Sequence, residues 1–302
     1  MDLKSKIILI YGPTASGKSE FAIKLAKKVN GEIVNADSMQ VYKDLKILSA
    51  RPEKKNFHNI KHHLYGFQSS KKIFSTGDWL KLAKNKIINI KKKEKTPILV
   101  GGTGLYFKAL TEGLVKIPLI PIKLRNKVRK LQKDIGQKKF YERLLKIDPI
   151  SKNMINPTDM QRSIRAYEVK TFTNKSIIEW FKDTKSSFNK QSFYKIILSH
   201  PREILIEKIN HRTREMLDRG AILEVKKFLK LKIPKDRSPS KAIGIAEISE
   251  FNKNLINKHE LTEKISIKTR QYAKRQVTWA RGHMANWKKI NPSRLNNFLK
   301  KI

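Results

Sequence analysis

Residues 12–19 have the types and spacing of a loop that binds phosphate. They read GPTASGKS and fit the pattern G-x-x-x-x-G-K-[ST], in which backbone amides surround phosphate oxygens, a lysine adds positive charge and a hydroxyl can ligand Mg²⁺. A shuffled chain of this composition would contain about 0.01 such matches. The pattern predicts a phosphate-binding or nucleotide-binding site made of Gly12, Pro13, Thr14, Ala15, Ser16, Gly17, Lys18 and Ser19, with Ser19 as the metal ligand.

Among acidic residues at the ends of predicted strands, Asp37 is the nearest to this loop. Enzymes that hydrolyse nucleoside triphosphates with such a loop also need a strand that ends in an acidic Mg²⁺ ligand. The candidate strand, residues 98–100, is instead followed by Gly101-Gly102-Thr103, whereas Asp37 ends the strand-like stretch GEIVNAD. Three roles stay open for Asp37 at this point: a metal ligand, a general base, or a cap for the next helix.

The elements that must position these groups alternate between strands and helices. Apolar stretches at 6–11, 31–37 and 96–100 are typical of buried strands, and 19–29 and 78–93 have helical periodicity, the latter with Asp78 as its expected N-cap. Such alternation predicts an α/β fold, a P-loop NTPase-like parallel sheet with helices on both faces. Ligands are expected at the carboxyl ends of the strands.

A helical segment interrupts this alternation. After Pro118 and Pro121 the chain is helical and charge-rich, with a capping signal at Thr158-Asp159 before a helix over 160–171, and an apolar strand returns at 195–198. From Arg202 to the end we expect a final helical region. The predicted organisation is a first part of the core at 1–120, a helical inserted domain at 121–190, and a core strand return plus C-terminal helices at 191–302.

Composition narrows the function classes. The 302 residues include no cysteine, which excludes disulfides, thiolate metal sites and a cysteine nucleophile, and no apolar run approaches the ~20 residues of a membrane span. We therefore expect a cytoplasmic protein with no membrane contact.

The formal charge of +41 indicates a polyanionic partner such as nucleic acid, but lysine outnumbers arginine 52 to 15, which an AT-rich coding sequence would produce by itself. Residues 264–302, with 11 Lys and Arg and no acidic residue, are a further candidate for phosphate contact.

Five blocks in order along the chain resemble the tRNA dimethylallyltransferase family, also called tRNA isopentenyltransferases. They are GPTASGKS at 12–19, DSMQVY at 37–42, GGTGLYFKAL at 101–110, NPTDMQRSIRAYE at 156–168 and RQYAKRQVTWARG at 270–282. The resemblance implies transfer of a dimethylallyl group from dimethylallyl diphosphate to N6 of the adenosine 3′ of the anticodon, with Mg²⁺ as cofactor. The loop would then hold a prenyl diphosphate, which explains the missing acidic residue. We expect a cytoplasmic monomer whose partner is the tRNA anticodon stem-loop, gripped by the inserted domain.

The resemblance also assigns roles to residues. Asp37 is expected to be the general base, and the diphosphate is expected to lie against Thr14, Lys18 and Arg212. The expected tRNA-binding residues are Asp37, Ser38, Met39, Gln40, Thr103, Arg125, Gln161, Arg162, Ser163, Ile164 and Arg165.

Two departures and two rival functions accompany this interpretation. The family favours Gly-Thr where this chain has Leu48-Ser49, and Gly-Tyr where it has Gly244-Ile245, which puts local tRNA contacts in doubt. One alternative is a P-loop kinase or ATPase acting on a nucleotide or small metabolite. Another is a basic RNA-binding protein in which the loop has no catalytic role.

Overall fold

A computed structural model describes residues 3–182 and 184–302, which form two compact units. The first unit contains the chain up to Thr111 together with Phe188–Ile302. The second unit is Glu112–Ser187.

The first unit is built on a parallel sheet. Over the described residues the sheet has six strands in the order β3-β2-β4-β1-β5-β6, and every described pairing between neighbours is parallel. The strands are β1 (Ile7–Tyr11), β2 (Gly31–Asn35), β3 (His62–His63), β4 (Thr96–Gly101), β5 (Phe193–Leu198) and β6 (Lys288–Ile290). Ile8 of β1 faces Ile98 of β4 and Tyr194 of β5. The central strand therefore pairs with one strand from before the helical segment and one from after it.

Eleven α-helices occur in the described ranges. They are α1 (Lys18–Lys28), α2 (Thr76–Lys91), α3 (Gly104–Glu112), α4 (Ile122–Ile147), α5 (Met160–Thr173), α6 (Ile177–Lys182), α7 (Arg202–Asp218), α8 (Ala221–Leu229), α9 (Ile245–Asn252), α10 (Lys258–His283) and α11 (Leu295–Lys300). Within those ranges we find no helix with the length and apolarity required to cross a membrane.

Helices cover both faces of the sheet, as the sequence predicts. On one face Trp79 of α2 and Phe107 of α3 are completely buried in a cluster with Leu9 and Leu99. On the other face Phe21 of α1 packs in a cluster with the opposite set of strand residues. Each large side chain buried in this way contributes about 1.5–3 kcal/mol, so the two clusters hold the helices against the sheet.

One local expectation in this unit is wrong. Asp78 is not the N-cap of α2: Ser75 is, with its hydroxyl accepting from the Asp78 amide at 3.1 Å while the Asp78 carboxylate accepts from the Ser75 amide at 2.9 Å. The expected helical region after Arg202 is present, and it also contains β6, a three-residue edge strand in which Ile290 alone is buried. Three residues are too short to show a strand period, so the pairing with β5 decides the conformation.

The second unit is helical. Helix α4 bends at Gly136, and its second half packs against α5 through Tyr141, Leu144 and Val169. The cap predicted at Asp159 is confirmed, because the Asp159 carboxylate accepts from the Arg162 amide at 3.0 Å.

Candidate functional site

The loop at 12–19 joins β1 to α1 at the carboxyl end of the sheet. Gly17 is the N-cap of α1 with φ 75°, a conformation that glycine adopts without strain. The Lys18 ammonium donates to the Pro13 carbonyl at 3.2 Å, so the lysine folds back over the loop. Among the described residues the buried Ser16 hydroxyl has no hydrogen-bond partner. The loop thus offers amides and an ammonium to an anion, while the unpaired Ser16 hydroxyl lies beneath its surface.

The two cations near the loop, Lys18 and Arg212, are partly buried and lie close to the charge of Asp37. Burial lowers the pKa of Lys18 to about 8, with Arg212 adding to the decrease and Asp37 opposing it. Burial also lowers the pKa of Arg212 from its ordinary value, and the negative charge of Asp37 partly offsets this. Two cations that burial makes costly to charge become better satisfied when an anion arrives. This electrostatic arrangement favours a ligand with at least two negative charges.

Thr14 is held on two sides by residues distant in sequence. Its hydroxyl accepts a hydrogen bond from the Arg212 guanidinium at 3.1 Å. Its amide donates to the side-chain carbonyl of Gln276 at 2.8 Å. Arg212, on α7, is therefore brought to the loop as the sequence predicts, whereas Gln276 is a residue that sequence reasoning missed.

Gln276 connects three elements of the site. Its side-chain amide nitrogen donates to the Gly102 carbonyl at 2.9 Å, and its backbone carbonyl accepts from the Tyr11 hydroxyl at 2.8 Å. Only 5% of the residue is exposed. Helix α10 thereby links the loop after β1 to the turn after β4.

Asp37 follows the end of β2 on the same side of the sheet. Its amide donates to the side chain of Asn35 at 2.9 Å, and its carboxylate accepts from the Met39 amide at 3.0 Å. Over the described residues no hydrogen bond from any other protein group reaches this carboxylate, so one oxygen remains open to a ligand. No helix follows Asp37 directly, so the expected role as a helix cap is wrong: its bond from the Met39 amide closes a turn, and a chemical role stays open to its second oxygen.

Four tyrosines lie close enough to Asp37 to be affected by its charge. Burial raises the pKa of Tyr11, Tyr65, Tyr106 and Tyr272, and the negative charge of Asp37 raises each of them further. These phenols stay neutral at physiological pH. Aromatic side chains near the carboxylate suit a flat base or an allyl group.

Residues 38–40 and Thr103 form a connected wall beside Asp37. The Thr103 hydroxyl accepts from the Ser38 amide at 2.9 Å and donates to the Ser38 hydroxyl at 3.2 Å. The Gln40 side chain donates to the Ser49 and Ala50 carbonyls at 3.0 and 3.2 Å. The structure therefore brings the predicted residues Asp37, Ser38, Gln40 and Thr103 together around one site.

The glycines of the GGTG block allow close approach. A Cβ atom at Gly101 would collide with the backbone of Ala36, and one at Gly102 with the side chain of Gln276. A Cβ at Gly104 would enter the Trp279 ring. Hydrogen at these positions lets β4 approach both β2 and α10.

The two departures from the family pattern lie in the same apolar cluster. Leu48 and Ile245 are both buried there, and Leu48 lies 2.6 Å from the position of a Cβ at Gly244. The turn that carries Leu48 is held by Glu224 of α8, whose carboxylate accepts from the amides of Lys46, Ile47 and Leu48 at 2.6–3.0 Å. Glu224 is a second residue that sequence reasoning missed.

The remaining predicted residues lie in the second unit. Gln161 and Arg162 are exposed, with Arg162 3.5 Å from the Asp159 carboxylate, and Ile164 is partly buried. Ser163 is fully buried and its hydroxyl donates to the Asp159 carbonyl at 2.8 Å, so this side chain supports α5 rather than facing solvent. Arg125 and Arg165 both approach the buried carboxylate of Glu168.

The described residues contain no group of three or more His, Asp or Glu side chains arranged to hold a metal. Mg²⁺ commonly takes one or two protein oxygens and completes its shell with phosphate oxygens and water. The Ser19 hydroxyl at the start of α1 is such an oxygen, and the loop beside it suits the phosphates. The donor set therefore fits Mg²⁺ carried by a bound diphosphate.

Comparisons with known proteins agree with this geometry. A family model described as IPP transferase matches residues 40–283. The tRNA dimethylallyltransferase of Pelagibacter ubique is 61% identical over 302 residues, which is 100% of this chain and 96% of that protein. The full-length tRNA isopentenylpyrophosphate transferase from Bacillus halodurans has a TM-score of 0.70 at 30% identity, covering 98% of this chain and 95% of that one. A eukaryotic dimethylallyltransferase acting on tRNA has a TM-score of 0.78 at 30% identity, covering 91% of this chain and 69% of that one.

Proposed function

The chain belongs to the IPP transferase family, and from this premise we propose that it transfers a dimethylallyl group from dimethylallyl diphosphate to N6 of the adenosine 3′ of the anticodon in tRNA. One observation carries the proposal: the Asp37 carboxylate, with one oxygen open, lies close enough to Lys18 and Arg212 at the phosphate loop to shift the pKa of both. An acceptor for a proton thus lies beside a holder for a diphosphate.

The leaving group determines what the loop must do. Breaking the bond between the allylic carbon and oxygen leaves a diphosphate whose added negative charge must be stabilised. The loop amides, the Lys18 ammonium and the Arg212 guanidinium supply donors and positive charge, and the Thr14 hydroxyl, already fixed by Arg212, can donate to a diphosphate oxygen. Mg²⁺ held by Ser19 and the diphosphate would neutralise further charge on the phosphate oxygens.

The attacking amine determines what Asp37 must do. An exocyclic aromatic amine is a poor nucleophile, and it loses a proton as its bond to the allylic carbon forms. The open oxygen of Asp37 can accept that proton, while the amide of Met39 holds the other oxygen in place. The N6–carbon bond forms, the carbon–oxygen bond breaks, the proton passes to Asp37 and the electron pair leaves with the diphosphate.

The adenosine must leave its stack to reach Asp37, at a cost of a few kcal/mol. Ser38, Met39, Gln40 and Thr103 line the route beside the carboxylate. The second unit's arginines would hold the anticodon stem-loop, whose unpaired bases are recognised by stacking and by their edges. A cytoplasmic monomer is the form we propose.

Incubation with dimethylallyl diphosphate, Mg²⁺ and unmodified tRNA, followed by mass analysis of the nucleosides, tests the proposal. We expect one adenosine per tRNA to gain the mass of a dimethylallyl group. A tRNA whose adenosine next to the anticodon is replaced by guanosine is the matched substrate control and should gain nothing. Steady ATP hydrolysis with no modified adenosine would instead support the P-loop kinase or ATPase.

A further inference from the structure

A buried carboxylate in the second unit gathers three arginines. Glu168 of α5 is 2% exposed. Arg165, one turn earlier on α5, donates to its carboxylate at 3.3 Å, and two arginines of α4 approach it: Arg125 Nε at 3.7 Å and Arg129 Nε at 3.9 Å. The three guanidiniums are consequently neighbours, although they belong to two helices.

The number of arginines exceeds what the carboxylate requires. One guanidinium neutralises one carboxylate, so the cluster has a formal charge of +2. The arginine side chains remain 37%, 50% and 41% exposed for Arg125, Arg129 and Arg165, whereas the Glu168 side chain is 2% exposed. The negative charge is therefore covered, and the positive charges reach solvent.

Most donors of the cluster are unused. A guanidinium has five N–H groups, and in the described part of the chain the side chains of Arg125 and Arg129 donate no hydrogen bond. The Nε of Arg125 is buried toward Glu168, so it is not among the donors available to a ligand. Phosphate, with several acceptor oxygens, is the ligand that arginine forks match in geometry and charge.

We propose that Glu168 assembles Arg125, Arg129 and Arg165 into one binding site for a backbone phosphate of tRNA. The inference rests on the proposed function, because tRNA is the polyanion that this function brings to the chain. It adds Arg129 as a phosphate-binding residue and Glu168 as a positioning residue that does not touch the RNA. Without the carboxylate, three adjacent guanidiniums repel one another and separate.

Glu168→Gln distinguishes a positioning role of Glu168 from a purely electrostatic one, because the two roles predict opposite changes in tRNA affinity. The substitution raises the formal charge of the cluster from +2 to +3. If only charge mattered, tRNA would bind more tightly. Because the carboxylate positions the arginines, we expect tRNA to bind several-fold more weakly, as measured by filter binding in 0.1 M salt. Tighter binding by a folded variant would overturn the positioning role.

Arg129→Gln tests the site without removing the buried charge. A phosphate contact contributes about 0.7 to the slope of log affinity against log salt for single-stranded RNA, so its loss weakens binding about fivefold in 0.1 M salt. Arg143→Gln, an exposed arginine farther along α4, is the matched control and should alter affinity less. Equal effects of Arg129→Gln and Arg143→Gln would refute the site. This pair also decides the matter if Glu168→Gln does not fold.

Two further measurements separate this inference from the proposed function. Affinity for dimethylallyl diphosphate should be unchanged in Arg129→Gln, because a phosphate site for RNA does not hold the donor; an equal loss of donor affinity would refute the assignment to RNA. If the wild-type protein binds tRNA with the expected arginine dependence yet modifies no adenosine, the proposed function fails while the phosphate site stands.

Discussion

Replacing Gln276 by leucine should impair catalysis through the phosphate loop. The substitution keeps the approximate volume of the side chain but removes two hydrogen bonds, at 2.8 Å from the Thr14 amide and at 2.9 Å to the Gly102 carbonyl. Both partners are backbone groups facing a residue that is 5% exposed. Each group left unpaired costs about 1–3 kcal/mol, so we expect the free energy of unfolding to fall by about 2–6 kcal/mol.

The effect on turnover comes from Thr14. With its amide released, the Thr14 hydroxyl keeps only the Arg212 contact, and a displacement of about 1 Å lowers a catalysed rate about 100-fold. Single-turnover transfer at saturating tRNA and donor measures this loss, and thermal unfolding confirms that the variant is folded. Gln271→Leu, at an exposed glutamine of the same helix, should leave both quantities unchanged. A folded Gln276→Leu variant with turnover within twofold of wild type would refute the reasoning.

Gln276→Glu adds a pH test of the same bridge. A protonated carboxyl can accept from the Thr14 amide and donate to the Gly102 carbonyl, whereas the ionised form repels that carbonyl. The ratio of variant to wild-type turnover should therefore rise as pH falls. Using the ratio removes the pH dependence of Asp37, which both proteins share. A ratio independent of pH would mean that the hydrogen bond to Gly102 does not matter.

Three other outcomes are expected. Asp37→Asn should lower turnover by about 10²–10⁴-fold without weakening donor binding, since the carboxylate acts on the amine. Near-normal turnover would mean that Asp37 only accepts the structural hydrogen bond from the Met39 amide. Donor affinity should decline above pH 8, because the Lys18 pKa is about 8 and the charged form predominates below that value. Lys18→Arg should remove this decline. A wild-type affinity that does not change with pH would contradict the prediction. Glu224→Gln should lower the free energy of unfolding by about 1.5–3 kcal/mol in urea titration, since the carboxylate accepts from three amides; an unchanged midpoint would show that the turn needs no anchor.

The phosphate loop could be predicted because its determinants are contiguous. A strand, eight loop residues and a helix lie within residues 7–28, and the apolar runs on both sides have clear periods. Asp37 could be placed because parallel strands end on the same side of a sheet. The family resemblance added Arg212, which no local pattern distinguishes from an ordinary surface arginine.

Gln276 was missed because its role depends on a partner 262 residues away. A signal was nevertheless present: α10 buries Ala273 and Ala280, and Gln276 lies on the same helical face between them. A polar side chain on a buried stripe needs a hydrogen-bond partner, which marks it for a structural or positioning role. Glu168 gave no comparable signal, since a glutamate in a charged helix reads as solvent-exposed until α4 is placed beside it.

The bridge from Thr14 to Gln276 also bears on how the protein is made. Synthesis on the ribosome proceeds from the N-terminus, so the phosphate loop emerges 262 residues before the glutamine that holds it. Arg212 likewise follows Thr14 by 198 residues. A nascent chain therefore carries the complete loop sequence without the arrangement that binds the donor. Any product truncated before α10 has the motif and lacks the Gln276 bridge, so we expect incomplete chains to bind the donor more weakly than the finished protein.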